Sequence, residues 1–461
     1  MKERRMTKQV IMTEGVIWKQ LIAFSIPLLI GNIFQQLYNT VDSIVVGNYI
    51  GSEALAAVGS SNSLINLIIG MFMGIATGAG VIISQYYGAQ AKDKLHWAVH
   101  TCMALSMIGG FFLIFLGVVL SPIILKLMGT PDEVMVNSTV YLRIFFCGSL
   151  FNLVYNMGAG VLRAVGDSKR PLYYLCVSSV VNIVLDLVFV VVFHLGIAGV
   201  GYATIIAQAV SAWLTLRALV KSDDIYKVVL KSIRIDVRML KRILKIGIPS
   251  GIQQSIISLS NVIVQANVNS FGAAAMAGFG AYSKIDGFVM LPLQSFCMSA
   301  TTFTGQNIGA RKIDRVKKGI FEGISISLIY TLILSVVLFF NVDKILGIFS
   351  KDTAVISYGH ITMYILLPFY FTLAFHQILM GSFRGAGKTM VSMLIGVGNM
   401  CILRMIYINV FVPFFPTYEA VMWCYPITWA TTVLMDVVYA WKAKWLPRYA
   451  KKAETKEAET K

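Results

Sequence analysis

Four oxygen-bearing side chains stand out because each lies in a stretch of chain almost free of charge. Asp42 sits in LYNTVDSIVVG (residues 37–47), with no basic residue nearer than Lys19. Asp186 sits in VVNIVLDLV, four residues after Asn182, and Thr204 lies in GYATIIAQ. On a helix, Asn182 and Asp186 share one face, a turn apart. Two carboxylates, an amide oxygen and a hydroxyl are hard ligands that suit a small cation such as Na⁺. Two neighbouring acids in a low-dielectric setting serve equally well to hold a proton. A third reading has each acid hydrogen-bonded into a static bundle. Gln35, Gln36, Tyr38, Tyr155 and Asn156 are polar neighbours that either contact substrate or ion or simply bond adjacent helices.

The elements that must position these groups follow from composition. Of 461 residues, 57% are hydrophobic and 13% charged, against about half and about a quarter in soluble domains. Apolar runs of about 20 residues recur along the whole chain, each long enough to cross a bilayer core. The fold class expected is an all-α polytopic membrane protein with 12 transmembrane helices. The spans fall near 17–49, 53–83, 96–120, 137–161, 171–193 and 198–218, then 243–270, 274–304, 319–341, 355–381, 389–413 and 420–441. Asp42 and Asp186 each lie about 8 residues, roughly 12 Å, from the outer end of their spans, and Thr204 about 6 residues. All four oxygen-bearing residues therefore occupy one layer. A charge at mid-span costs about 2.5–3.5 kcal/mol on insertion scales, so it needs a reason to persist.

Positive charge sets the expected topology. Of the 39 Lys and Arg, all but Lys126, Arg143, Lys284, Lys344, Lys351 and Arg404 fall in the two termini or in alternate loops. The positive-inside rule then places both termini in the cytoplasm, with the chain a multi-pass protein of the plasma membrane. The formal net charge of +17 is mostly this signal together with affinity for anionic lipid. No basic soluble domain is present to bind nucleic acid.

The chain also repeats itself. GSEALAAVG (51–59) recurs as GAAAMAGFG (272–280), SQYYGAQAKD (84–93) as GQNIGARKID (305–314), and GVLRAVG (160–166) as GSFRGAG (381–387), all at one offset of 221 residues. With a one-residue slip, KQLIAFSIP (19–27) lands on KRILKIGIP (241–249). Each copy holds an even number of spans, so the halves are parallel repeats, as in several secondary transporters. The expected division is a cytoplasmic N-terminus (1–16), an N-lobe (17–220), a linker (221–242), a C-lobe (243–441) and a cytoplasmic tail (442–461). Within 231–246, Ile235, Met239, Ile243 and Ile246 oppose Arg238, Lys241, Arg242 and Lys245. That pattern suggests an interfacial helix, or else a solvated connector.

The pattern SIPLLIGNIFQQLYNTVDSIVVGNYIGSEALAAVG, followed by SQYYGA and its partner GQNIGA, resembles the multidrug and toxic compound extrusion (MATE) family over nearly the whole chain. The resemblance implies two lobes arranged as a V and export of small organic, often cationic, compounds by alternating access in exchange for Na⁺ or H⁺. It also implies a monomer in the lipid bilayer with a small-molecule substrate, with the coupling ion in place of a resident cofactor. Asp42, Asn182, Asp186 and Thr204 match N-lobe positions tied to ion coupling in similar transporters, and would be the metal ligands if the ion is Na⁺. A flippase for lipid-linked precursors, of similar architecture, is the alternative, and a membrane-embedded enzyme a more distant one.

Some family members carry acids in the seventh and tenth spans. Here neither span has one. The intramembrane charges of the C-lobe are Lys284 and Asp286 in YSKIDGF, Arg404 and Asp436. Lys284, Asp286 and Arg404 are candidates for the substrate cavity, with Asp286 expected to pair with Lys284 or Arg404. Arg163 and Arg384 match across the repeat as anchors or gate residues. Pro27 and Pro249 are expected in the first turns of equivalent spans, where a kink is tolerable. GSFRGAGKT (381–389) imitates a phosphate loop but has Ser382 where the motif needs its first glycine. The histidines form no HExxH motif, so a metalloenzyme is not supported.

Overall fold

The computed structural model describes residues 11–127 and 129–447, and these are helical nearly throughout. The spans of the N-terminal half are α1 (Ile17–Tyr49), α2 (Ser52–Gly88), α3 (Lys92–Leu127), the bent pair α4 (Asp132–Cys147 and Ser149–Ala164), α5 (Lys169–Val192) and α6 (Gly196–Val220). Those of the C-terminal half are α7 (Val237–Asn269), α8 (Ala273–Gly309), α9 (Ile313–Phe340), α10 (Thr353–Gly385), α11 (Thr389–Phe414) and α12 (Tyr418–Lys442). Among the described residues, nine helices are long and apolar enough to cross a membrane, and the bent α4 makes ten. Helices α7 and α8 complete the set of twelve. They are equally long, but α7 carries Gln253, Gln254, Asn261, Gln265 and Asn267, and such polarity suits helices that face protein and cavity rather than lipid. By contrast α9 turns Phe321, Leu332, Ile333, Val336 and Phe340 outward, an apolar belt that a bilayer would cover.

The duplication is visible in backbone conformation as well as in sequence. Gly51 and Gly272, 221 residues apart, turn the chain between the first two spans of each half with φ of 120° and 94°. Those are values that glycine adopts without steric cost. The bend of 48° in α4 at Gly148 and the short 3-10 segment Leu367–Phe369 inside α10 were not legible as breaks in the sequence. Pro27 and Pro249 lie well inside continuous helices, ten and twelve residues after the first residues Ile17 and Val237. They do not sit in first turns: α1 begins where its apolar span begins, ten residues before Pro27, and α7 begins at Val237, ahead of the span expected from 243.

The two halves meet along the ends that carry the termini. Gly74 and Gly78 of α2 lie on Gly251 and Gly247 of α7, so closely that a Cβ on either α2 glycine would overlap backbone. Lower down, Gln85 donates to the Gly385 carbonyl and Gln306 to the Ala164 carbonyl, each at 2.8 Å. These two bonds are one interaction made twice, since Gln85/Gln306 and Ala164/Gly385 are both pairs at the 221-residue offset. Helix α1 joins the seal: Ser299 donates to the Leu21 carbonyl at 3.2 Å. Beyond it, Phe34, Gln35, Gln36 and Leu37 of α1 are exposed.

The connection between the halves docks on the N-terminal one. The Val229 amide donates to His100 Nε2 at 3.0 Å, the Asp236 amide donates to Thr101 at 3.1 Å, and Tyr226 is buried. An interfacial helix over 231–246 does not form. A single 3-10 turn, Leu230–Ser232, is followed by extended chain and by α7, which Asp236 caps by accepting the Met239 amide at 2.8 Å. The amphipathic pattern is real, but Ile243 and Ile246 pack into the core formed by α2, α3 and α4. That apolar face meets protein, not lipid.

Candidate ion layer and central cavity

Helix α1 supplies Asp42 and Tyr38, α5 supplies Asn182 and Asp186, and α6 supplies Thr204. The four expected layer residues are all buried, Asp186 completely and Asp42 to 9% exposure. The carboxyls of Asp42 and Asp186 lie against one another, and the Tyr38 hydroxyl points to Thr204. Buried Tyr141 of α4 closes the same cluster beside both acids. Thr204 itself donates back to the Val200 carbonyl at 3.0 Å. Apart from the contact between the two carboxyls, Asp42 Oδ1, both Asp186 carboxyl oxygens and both polar side-chain atoms of Asn182 are buried with no hydrogen-bond partner among the described residues. Each such atom costs about 1–3 kcal/mol if left unmet. Five in one place, four of them acceptor-capable oxygens, form a cradle that fits a small cation or a shared proton. Directly after Asp186, α5 widens into a π-helical turn, Val188–Val192, a departure that is frequent at functional sites.

A separate cavity of about 720 Å³ lies between the halves. It is lined by α2 and the end of α4 on one side and by α7, α8, α10, α11 and α12 on the other. None of the four layer residues lines it, and neither do Gln35, Gln36, Tyr38, Tyr155, Asn156 or Lys284. Tyr155 donates across to the Pro171 carbonyl of α5 at 3.3 Å, and Asn156 donates to Asn152 one turn back on its own helix at 2.9 Å. Asp286 and Arg404 do line the cavity, along with Arg163 and Arg384.

Asp286 pairs with neither Lys284 nor Arg404. Its Oδ1 accepts from Tyr370 at 2.7 Å and Tyr282 at 3.3 Å. Arg404, 2% exposed, donates to Asn261 at 3.0 Å and Thr428 at 3.2 Å, and its guanidinium stacks 4.4 Å over the Tyr425 ring. Two π-helical stretches, Gly398–Leu403 and Tyr407–Phe411, flank it. Arg384 donates to Gln253 at 2.9 Å. Asp436 binds His376 Nδ1 at 2.6 Å, both buried. Helix periodicity could have found Gln253 and Asn261, since residues eight apart share a face of α7. Tyr282 lies one turn before Asp286 on α8, a spacing the sequence shows, whereas nothing local marks Tyr370 or His376 as partners of acids, because those two pairings cross between helices. His96 and His100, one turn apart, have the spacing of a metal pair. Their rings stack at 3.9 Å, and His100 is already used by the His96 carbonyl and the Val229 amide.

In the loop after α4, Asp167 is buried and accepts the Lys169 and Arg170 amides, with the Arg170 guanidinium at 3.1 Å. Burial raises its carboxyl above the ordinary range despite those partners.

Comparison with known proteins agrees with this architecture. The MatE family model matches the chain twice, over residues 27–188 and 249–410, starting at the two prolines that the repeat superposes. Probable multidrug resistance protein YoeA of Bacillus subtilis is 31% identical over 382 residues, spanning 81% of this chain and 82% of that protein. Probable multidrug resistance protein YpnP of the same organism is 30% identical over 400 residues, spanning 85% and 88%. A solved structure described as the outward-facing conformation of a multidrug resistance MATE family transporter of the MOP superfamily superposes with a TM-score of 0.87. It is 23% identical and covers 95% of this chain and 98% of its own, so it shares the fold.

Proposed function

The chain belongs to the MatE family, and from that premise we propose that it exports small organic compounds by alternating access, driven by Na⁺ or H⁺. The observation that carries the coupling is the pair of facing carboxyls, Asp42 and Asp186, with their unpartnered oxygens beside Asn182 and Thr204. Proteins named for multidrug resistance among its relatives support the export role. The chain acts as a monomer in the plasma membrane, with both termini cytoplasmic and the bilayer as its surroundings. It binds no nucleic acid and carries out no catalysis. In that orientation the lobes are sealed on the cytoplasmic side and the cavity drains outward.

A cation or proton entering from outside would bind the acid pair and cancel the repulsion between α1 and α5. Cargo would leave the cavity, and reorientation would then carry the ion inward. A ligand shifts such an equilibrium only through different affinities for the two states, and the close approach of the two carboxyls supplies that difference. Asp42→Asn should lower gradient-driven dye efflux from proteoliposomes more than tenfold while the protein remains folded. Wild-type efflux in that variant sinks the proposal. Imposing Na⁺ and pH gradients separately assigns the ion.

A second reading, a flippase for lipid-linked precursors, draws on the arginines of the cavity, because a pyrophosphate head is anionic. It predicts transbilayer movement of a lipid phosphate rather than dye efflux.

A further inference from the structure

Resemblance alone leads one to expect cationic cargo, but the lining of the cavity has the opposite charge. Arg163, Arg384 and Arg404 line it, against one carboxylate, Asp286. That carboxylate is engaged by two tyrosine hydroxyls. The other acid nearby, Asp436, lies behind His376 and is bound to it. Even with His376 neutral, positive charge remains in excess. Arg404 and Arg384 are held by neutral acceptors, Asn261, Thr428 and Gln253, which satisfy donors without balancing charge. The Nε of each is buried and unpartnered, and no ion pair among the described residues reaches Arg163, Arg384 or Arg404. A buried guanidinium without a counter-charge is costly at membrane depth.

The arginines occupy two levels. Gln253 and Asn261, which hold Arg384 and Arg404, are eight residues apart on α7, about 12 Å along its axis. Between them the wall is apolar and adaptable: Met290, Met380 and Met400, with Tyr425 and Trp429. Thioethers and aromatic rings accept varied apolar bodies, and guanidinium forks recognise acidic oxygens. The cavity volume of about 720 Å³ lies within the roughly 300–1,000 Å³ of small-molecule sites.

We propose that the central cavity takes amphipathic organic anions, with the acidic head on Arg404 or on Arg163 and Arg384 and the apolar body against the Met and aromatic wall. Two sources share this chemistry, a soluble aromatic acid and a lipid bearing a phosphate head. The proposal rests on the cavity being the cargo path. It is tested by equilibrium binding without any gradient, so a failure of ion coupling at Asp42 leaves it standing.

The experiment is calorimetric titration of the full chain in phosphatidylcholine nanodiscs. The probes are 2-naphthalenesulfonate, its trimethylammonium counterpart on the same ring, dioctanoyl phosphatidic acid and inorganic sulfate. An acidic amphiphile should bind at least tenfold more tightly than the ammonium probe and than sulfate. The tighter of the sulfonate and the phosphatidic acid identifies the source. Arg404→Gln should weaken that binding at least tenfold and Arg404→Lys less, because lysine keeps the charge but loses the fork. Should Arg404→Gln fail to fold, Arg163→Gln, at a half-buried position, carries the same expectation of weakened binding. Tighter binding of the ammonium probe overturns the proposal. So does the absence of binding by both acidic amphiphiles, sulfate binding equal to theirs, or unchanged binding in folded arginine variants.

Discussion

The two lobes follow one chain path, yet they hold their buried charges in opposite ways. In the N-terminal lobe, acid faces acid, and Asp42 Oδ1 and both Asp186 oxygens have no other partner among the described residues. In the C-terminal lobe, Asp286 is held by tyrosines, Asp436 by His376, and Arg404 by Asn261 and Thr428, with only the Nε of Arg404 left over. The equivalents of Asp42 are Ile263 or, with the one-residue slip, Val264, and those of Asp186 are Tyr407 or Ile408. Val264 and Ile408 belong to the apolar core of the C-lobe. The two copies share the helices and the seal, but where one holds its acid layer the other has apolar packing. An unpartnered cluster can change occupancy, whereas a satisfied one resists change.

The comparison is most exposed in the C-lobe. Asp436→Ala strands His376 in a buried site and should cost roughly 3–5 kcal/mol, the range for breaking a buried pair. Chemical unfolding in a mixed micelle reads this, and a loss below about 1 kcal/mol would place the pair among dispensable contacts. Asp186→Asn in the N-lobe should behave oppositely. Gradient-driven efflux should fall at least about tenfold, near 1.4 kcal/mol, while stability holds or rises because one of two opposed carboxyls is gone. A destabilised Asp186→Asn protein would mean that the acid layer is as structural as its counterpart.

The feature the lobes share should respond equally from either side. Gln85→Ala and Gln306→Ala each remove one hydrogen bond of the seal, worth about 0.5–1.5 kcal/mol. The double variant should expose a cysteine placed at Thr77, in the cavity wall, to an impermeant thiol reagent from the terminus-bearing side. Labelling no faster than in the unaltered seal would show that the glycine contacts alone close it.

The smallest effect is expected in the loop where Asp167 stands in one half and Lys388 in the other. The folded-state carboxyl of Asp167 lies above its ordinary value. Its stabilising contribution is therefore present at low pH and is lost as pH rises through that raised value. Asp167→Asn should remove this loss above the ordinary carboxyl range and keep the acceptor for the two amides. Stability at neutral pH should change by less than about 1 kcal/mol, with a flatter pH profile between mildly acidic and neutral. An unchanged slope would refute the assignment.

Much of the molecule is legible in its residues. Apolar runs mark the helices, because crossing a bilayer imposes a local requirement on length and hydropathy. The 221-residue offset marks the two lobes, and it even pairs Gln85 with Gln306 and Arg163 with Arg384 before any contact is known. Depth along each span puts Asp42, Asn182, Asp186 and Thr204 in one layer. Depth does not say which way a side chain faces. Gln35, Gln36 and Lys284 lie at suggestive positions but do not line the cavity. The face of Ile243 and Ile246 reads as a membrane surface in sequence and packs against protein.

What the sequence determined by itself is whatever depends on composition along one axis: helix count, duplication and the depth of each charge. Tertiary structure alone decided that the acids meet each other while Asp286 meets Tyr370, and that three arginines share a cavity with one carboxylate. The reason is that helix rotation and pairing are set by packing among residues far apart in the chain, and a side chain's electrostatic role depends on what lies across from it.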